Sequence, residues 1–120
     1  MSGAAARHPI DLAHLAQYTG GEFDINAELL EMFVHQCAQA LARLGGLIEA
    51  RNTDSWRGIL HTLKGSALGV GAFPLAEELA AAEDIDPALS PSQASAALET
   101  LKSNAEMASR FVAAYRRRQA

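Results

Sequence analysis

His61 is followed at three residues by Lys64 and at four by Gly65, in the run His61-Thr62-Leu63-Lys64-Gly65-Ser66-Ala67-Leu68-Gly69-Val70-Gly71-Ala72. On a helix, positions three and four apart share a face, so Lys64 and Gly65 both stand one turn beyond the imidazole. An unperturbed histidine is substantially neutral near pH 7 and can act as a nucleophile without an adjacent base. Lysine brings a compact positive charge to the same face. Glycine in mid-helix costs about 1 kcal/mol against alanine, and a bare surface beside His61, open to another protein's backbone, would offset that cost.

The surrounding periodicity says which way this group faces. Trp56, Ile59, Leu60, Leu63, Ala67 and Val70 form the apolar stripe of a helix expected over about 55–69, capped by Thr53 or Asp54 and closed by Gly69 and Gly71. His61, Lys64, Gly65 and Leu68 fall off that stripe, with Arg57 one turn before. The histidine is therefore expected in mid-helix, facing solvent on a rigid support, where a nucleophile can meet a bulky partner. Arg57, His61, Gly65 and Leu68 then make a short docking strip of mixed character.

Four more helices are expected around this one. A short helix over about 9–18 carries Leu12, Leu15 and Tyr18 on one side and stops at Thr19-Gly20-Gly21. A long helix over about 26–51 starts near Asp24 or Asn26. Its stripe is Leu29, Leu30, Phe33, Val34, Cys37, Leu41, Leu44 and Ile48, and Gly45-Gly46 marks a close helix contact. Pro74 opens a helix over about 73–84 with Leu75, Leu79 and Ala82 inward, ended by Asp86-Pro87. Ser90-Pro91-Ser92-Gln93 opens the last, with Leu98, Leu101, Ala105, Ala108, Val112 and Tyr115 inward and Arg116, Arg117 and Arg118 at its end. No segment alternates with a period of two. The expected fold is all-α: an antiparallel up-down four-helix bundle with an additional short N-terminal helix. Residues 1–8 read as a disordered lead and 9–120 as a single domain.

Composition narrows the classes. The chain has 120 residues, 49% hydrophobic and 6% aromatic, which suits closely packed helices. A net charge of −4 gives no sign of nucleic acid as a partner. The one cysteine, Cys37, rules out an internal disulfide framework and fits a reducing, cytoplasmic setting. No apolar run approaches the roughly 18 residues that span a bilayer, and the N-terminus lacks a signal-peptide core, so no membrane association is expected.

The His-x-Leu-Lys-Gly-Ser-Ala core with a glycine at 71 closely resembles the signature of histidine-containing phosphotransfer (HPt) domains. The helix order and the preceding Leu29-Leu30-Glu31-Met32-Phe33 pattern share the resemblance. Leu68 departs from it, standing where the family frequently has a small residue. The resemblance implies a monomeric phosphocarrier in a two-component phosphorelay. His61 would carry a phosphoryl group between phospho-aspartates on the receiver domains of a hybrid histidine kinase and a response regulator. Lys64 would stabilise the phosphoryl oxygens. A polar side chain on the next helix would orient the imidazole, and the candidate here is Glu83, ahead of Glu77 and Glu78. It also implies no cofactor on this chain, the acidic pocket and divalent metal belonging to the receiver. There is no glycine-rich nucleotide loop to support autokinase activity, and Thr62 stands where sensor-kinase helices usually place an acidic residue. The alternative is a receiver-binding regulatory module that takes no phosphate.

Part of the long helix should join the docking surface. Periodicity leaves two flanks open, one with Met32, Gln36, Gln39 and Arg43 and the other with Glu31, His35 and Ala42. Of these, Gln36 and Arg43 are assigned to partner docking. Glu31 and His35 lie four apart and could share a metal, but no second helix supplies matching ligands, so a solvated pair is expected. Trp56 and Cys37 are read as core, His8 and His14 as belonging to no constellation, and Arg116–Arg118 as a solvated helix end.

Overall fold

The computed structural model describes residues 8–118, which form five helices and no strand. These are α1 (Leu12–Thr19), α2 (Phe23–Glu49), α3 (Thr53–Val70), α4 (Phe73–Glu83) and α5 (Pro91–Arg118). Helices α2 to α5 close a ring in which each packs on its sequence neighbour and α5 returns to α2, while α1 lies on α2 and α3. The antiparallel bundle with a short leading helix is therefore the observed architecture. The expected disordered lead falls outside the described residues except for His8, which is exposed with its ring 6.1 Å from that of Phe111.

The apolar stripes meet in one core. Leu15, Leu30, Phe33, Leu44, Trp56, Leu60, Leu63, Leu75, Leu79, Leu101 and Val112 are all buried, joined by Ile10 and Ala94, which lie outside the expected stripes. Tyr18 departs from expectation. It is 70% exposed: α1 ends one residue later at Thr19, before the left-handed Gly20, and His14 packs edge-on against its ring at 5.4 Å while most of it stays in solvent. Cys37 is buried, and burial pushes its thiol up to about 12, so it stays protonated and inert. No helix among the described residues is long and apolar enough to cross a membrane.

Two helix starts differ from the sequence reading for the same reason. Asn26 is not a cap: α2 begins at Phe23, and Asn26 is buried inside it. Its amide donates to the Tyr115 hydroxyl at 3.1 Å and its carbonyl accepts from the Thr19 hydroxyl, which ties the ends of α1 and α5 to the start of α2. The cap of α3 is Asn52, whose carbonyl accepts from the Ser55 N–H at 3.1 Å. Thr53 is engaged elsewhere, donating its hydroxyl to Asp86 at 2.7 Å. In both cases a long-range contact recruits the residue that local rules would make a cap.

The glycines separate into two kinds. Gly45 meets Leu98 of α5 at an ordinary contact distance, 3.9 Å from where a Cβ would sit, while Gly46 faces open space. Gly58, Gly65 and Gly69 of α3 likewise have nothing within 4 Å of a Cβ. Gly71, not Gly69, ends α3: it has φ +84°, its N–H turns back onto the last turn, and its carbonyl accepts from the Asp11 N–H at 2.9 Å. A Cβ there would lie 2.7 Å from the Asp11 carbonyl oxygen. Gly71→Ala should therefore cost about 1–3 kcal/mol in chemical denaturation, whereas Gly69→Ala should be neutral or stabilising. Equal stabilities for the two variants would disprove this account of the α3–α4 corner.

Candidate functional site

His61 lies in the middle of α3, and its neighbours on the core side are fully buried Leu60 and Leu63. Burial of those neighbours fixes the helix rotation, which turns the imidazole outward; its side chain is 73% exposed. The next helix comes back beside it. Only Gly71 and Ala72 separate α3 from α4, so the two run antiparallel as a tight hairpin.

Two bonds set the register of that hairpin. The Trp56 indole N–H, buried, donates to the Ala82 carbonyl at 3.1 Å. Beyond the end of α4, Asp86 accepts from the Thr53 hydroxyl and, at 2.9 Å, from the Ala88 N–H. The Thr53 hydroxyl first, and then the Ala88 N–H, hold the Asp86 carboxyl below its usual range. The residue after Ala82 is Glu83, the last of α4, and this register delivers it to His61.

The three polar side chains share one carboxylate. Glu83 Oε2 lies 3.3 Å from His61 Nδ1, and Glu83 Oε1 lies 2.7 Å from Lys64 Nζ. The Glu83 side chain is 19% exposed and that of Lys64 27%. The hydrogen bond from Lys64 is the main reason the Glu83 carboxyl stands below its ordinary value of 4.5; partial burial opposes it, and the Lys64 charge and His61 add to the lowering. An ionised carboxylate only accepts hydrogen bonds, so Nδ1 carries the proton. Nε2 is then the ring nitrogen left with a lone pair. Of the three glutamates considered for this place, Glu83 contacts the ring; Glu78 is exposed, and Glu77 lines a depression between α3 and α4 with Lys64 and Leu68.

The structure places the remaining candidates around this centre. Arg57 and Gly65 are exposed on α3 one turn either side of His61, and Leu68, one turn further, is 45% exposed. Gln36, Gln39 and Arg43 line a groove between α2 and α3 with Ser55, Gly58 and Thr62. Met32, His35 and Gln36 continue it towards Ser66 and Val70. The two grooves thus take Met32, Gln36, Gln39 and Arg43 from one expected flank of α2 and His35 from the other. Glu31 belongs to another face, because it pairs with Arg116 of α5 at 3.0 Å. Among the described residues Arg43 and Arg57 form no ion pair, and no cluster of His, Cys, Asp and Glu could hold a metal ion.

The sequence signalled neither the Trp56–Ala82 bond nor the Thr53–Asp86 bond, since both join residues on separate helices or loops. Lys64, expected as a cation beside the imidazole, lies with its ammonium 2.7 Å from Glu83 Oε1. Glu83 stabilises the fold only while ionised. Its folded value lies below the unfolded one, so its contribution is present above 4.5 and is lost as pH falls through the lowered folded value. In unfolding free energies measured from about pH 6 down to about pH 3, the wild type should lose stability more steeply than Glu83→Gln below 4.5. Parallel curves would show that the carboxylate gains nothing from its two partners.

A family model described as Hpt domain matches residues 28–112. No curated protein and no solved structure gives a significant match. The matched span runs from the first turns of α2 to Val112 near the end of α5, so it contains His61, Lys64 and Glu83, all of α3 and α4, and most of α2 and α5. Hpt domains are phosphocarrier modules that serve histidine phosphotransfer in phosphorelays, interact with receiver domains and have no kinase activity. The chain belongs to the Hpt domain family.

Proposed function

We propose that this chain, with 9–120 acting as one module, carries a phosphoryl group on His61 between phospho-aspartates of receiver domains. The observation that carries the proposal is the 3.3 Å contact of His61 Nδ1 with Glu83 on a side chain that is 73% exposed, which in the neutral ring favours the proton on Nδ1 and the lone pair on Nε2. Nε2 attacks phosphorus in line, an N–P bond forms, and the bond from phosphorus to the aspartyl oxygen breaks, releasing the receiver's carboxylate. The proton stays on Nδ1, and the positive charge that develops on the ring faces the Glu83 carboxylate. Phosphoryl transfer depends mainly on positioning and charge neutralisation, and the divalent metal for that neutralisation is expected on the receiver. Transfer from phospho-His61 to a second receiver reverses the same steps. A monomer in a reducing, cytoplasmic setting is the form in which we expect it to act.

The docking surface in this reading is the α3 face with the α2 flank beside it. Arg57 and Arg43 meet an acidic rim, and Leu68 gives apolar contact. Gln36 offers hydrogen bonds, and Gly65 lets the partner's backbone approach His61. Gly65 supports the reading because no contact among the described residues requires it: a Cβ there meets nothing within 4 Å. Alanine would strengthen the helix by about 1 kcal/mol, so the benefit of glycine must lie outside the fold.

Incubation with a phosphorylated receiver domain should place acid-labile, base-stable label on the wild type and none on His61→Gln. Label that persists in His61→Gln would remove the assignment. Binding without any label would leave a receiver-binding regulator that takes no phosphate. Gly65→Gln should fold at least as stably as the wild type yet transfer about ten- to a hundredfold more slowly. Undiminished transfer in that variant would eliminate the steric argument.

A further inference from the structure

Lys64 and His61 touch different oxygens of one carboxylate, and this arrangement gives the lysine an indirect part to play. We infer that Lys64 is a positioning residue that acts on His61 through Glu83: its ammonium, 2.7 Å from Oε1, holds the carboxylate whose Oε2 meets Nδ1 at 3.3 Å. For its effect on transfer the inference rests on His61 as the phosphoryl carrier. For its effect on the resting imidazole it does not.

Four observations support it. Glu83 is the last residue of α4, where the helix dipole disfavours a carboxylate, and α4 has no basic residue in its last turn. The cation that compensates comes from α3. Second, Glu83 Oε1 is closed off from water and has no geometric hydrogen-bond partner, so the Lys64 ammonium 2.7 Å away is the charge that compensates it, and without Lys64 it would be a buried charged oxygen facing no cation. Third, Lys64 lies along the seam of α3 and α4 with Leu68, Phe73, Ala76 and Ala80, and is far less exposed than His61, 27% against 73%. Its ammonium is laid against α4 and does not stand free above the ring. Fourth, Lys64 and His61 are the charged or titratable side chains that act on Glu83 among the described residues.

One helical turn on α3 explains the geometry. Side chains at 61 and 64 leave the same face and converge on the end of α4 from one side. Each takes one oxygen, so the carboxylate cannot rotate away from the imidazole without breaking the ion pair with Lys64. The lysine thereby locks the proton on Nδ1 and the lone pair on Nε2.

Lys64→Met keeps the stem and removes the charge. In nitrogen-15 spectra of the unphosphorylated protein, His61 of the wild type and of Lys64→Arg should show a protonated Nδ1 and an unprotonated Nε2. Glu83→Ala should lose that preference, and Lys64→Met should move to the Glu83→Ala pattern. A Lys64→Met spectrum that keeps the wild-type pattern, or sharpens its Nδ1 preference, would overturn the inference. The transfer rate gives an independent reading through a double-mutant cycle. The Lys64→Met/Glu83→Ala protein should transfer within about twofold of Glu83→Ala alone, as expected for residues acting in series. A further multiplicative loss would mean that Lys64 acts on the phosphoryl group directly. If no variant, the wild type included, takes label, the carrier reading fails, and the spectra still decide whether Lys64 positions His61.

Discussion

The register of α3 against α4 is the constraint on which the site depends. Glu83 reaches His61 because a two-residue corner at Gly71 and Ala72 folds α4 back along α3 and because Trp56 fastens Ala82 from inside the core. Successive residues on a helix point about 100° apart, so a slip of one residue would turn the carboxylate away from the imidazole. A buried hydrogen bond of the Trp56 kind contributes only about 1 kcal/mol net. Breaking it would leave both a buried carbonyl and an indole N–H without partners, and that penalty makes the register specific. The Thr53–Asp86 bond holds the far end of the same hairpin, so the chemical group lies between two fixed points.

Around that register the molecule divides its labour by depth. Leu60, Leu63 and Ala67 are fully buried and fix the rotation of α3. At the boundary, Glu83 and Lys64 are partly shielded, where an ion pair is stronger than in bulk water. His61 is outermost and keeps most of its surface in solvent. An imidazole held from below and open above suits a partner that arrives with its own charges and metal. The cations Arg43 and Arg57 are exposed on this part of the surface in a chain whose net charge is −4.

What the sequence made legible follows the same division. Periodicity located all four apolar stripes and placed His61 outside, because helix rotation is a local consequence of where the large apolar side chains fall. It misplaced the starts of α2 and α3, because Asn26 and Thr53 answer to Tyr115 and Asp86, 89 and 33 residues along the chain. Helix spacing put Lys64 near the histidine and the family resemblance nominated Glu83, but neither indicated their contact with each other, since that depends on where α4 ends. Periodicity left two flanks of α2 open, and the grooves beside α3 take residues from both, His35 together with Met32 and Gln36, while Glu31 is drawn to Arg116 on α5. Tyr18 was legible as apolar and not as uncovered, because coverage belongs to the neighbours of a side chain.

The glycines of α3 have a consequence for folding as well as for contact. Gly58, Gly65 and Gly69 lie in one 18-residue helix and touch nothing through the space a methyl would fill. Each weakens the isolated helix by about 1 kcal/mol against alanine, so this segment has little capacity to coil on its own. Its order is borrowed from the bundle through Trp56, Leu60, Leu63 and Ala67. The imidazole is thus presented in its working orientation only once the surrounding helices have assembled, and a nascent or partly opened chain displays no such surface.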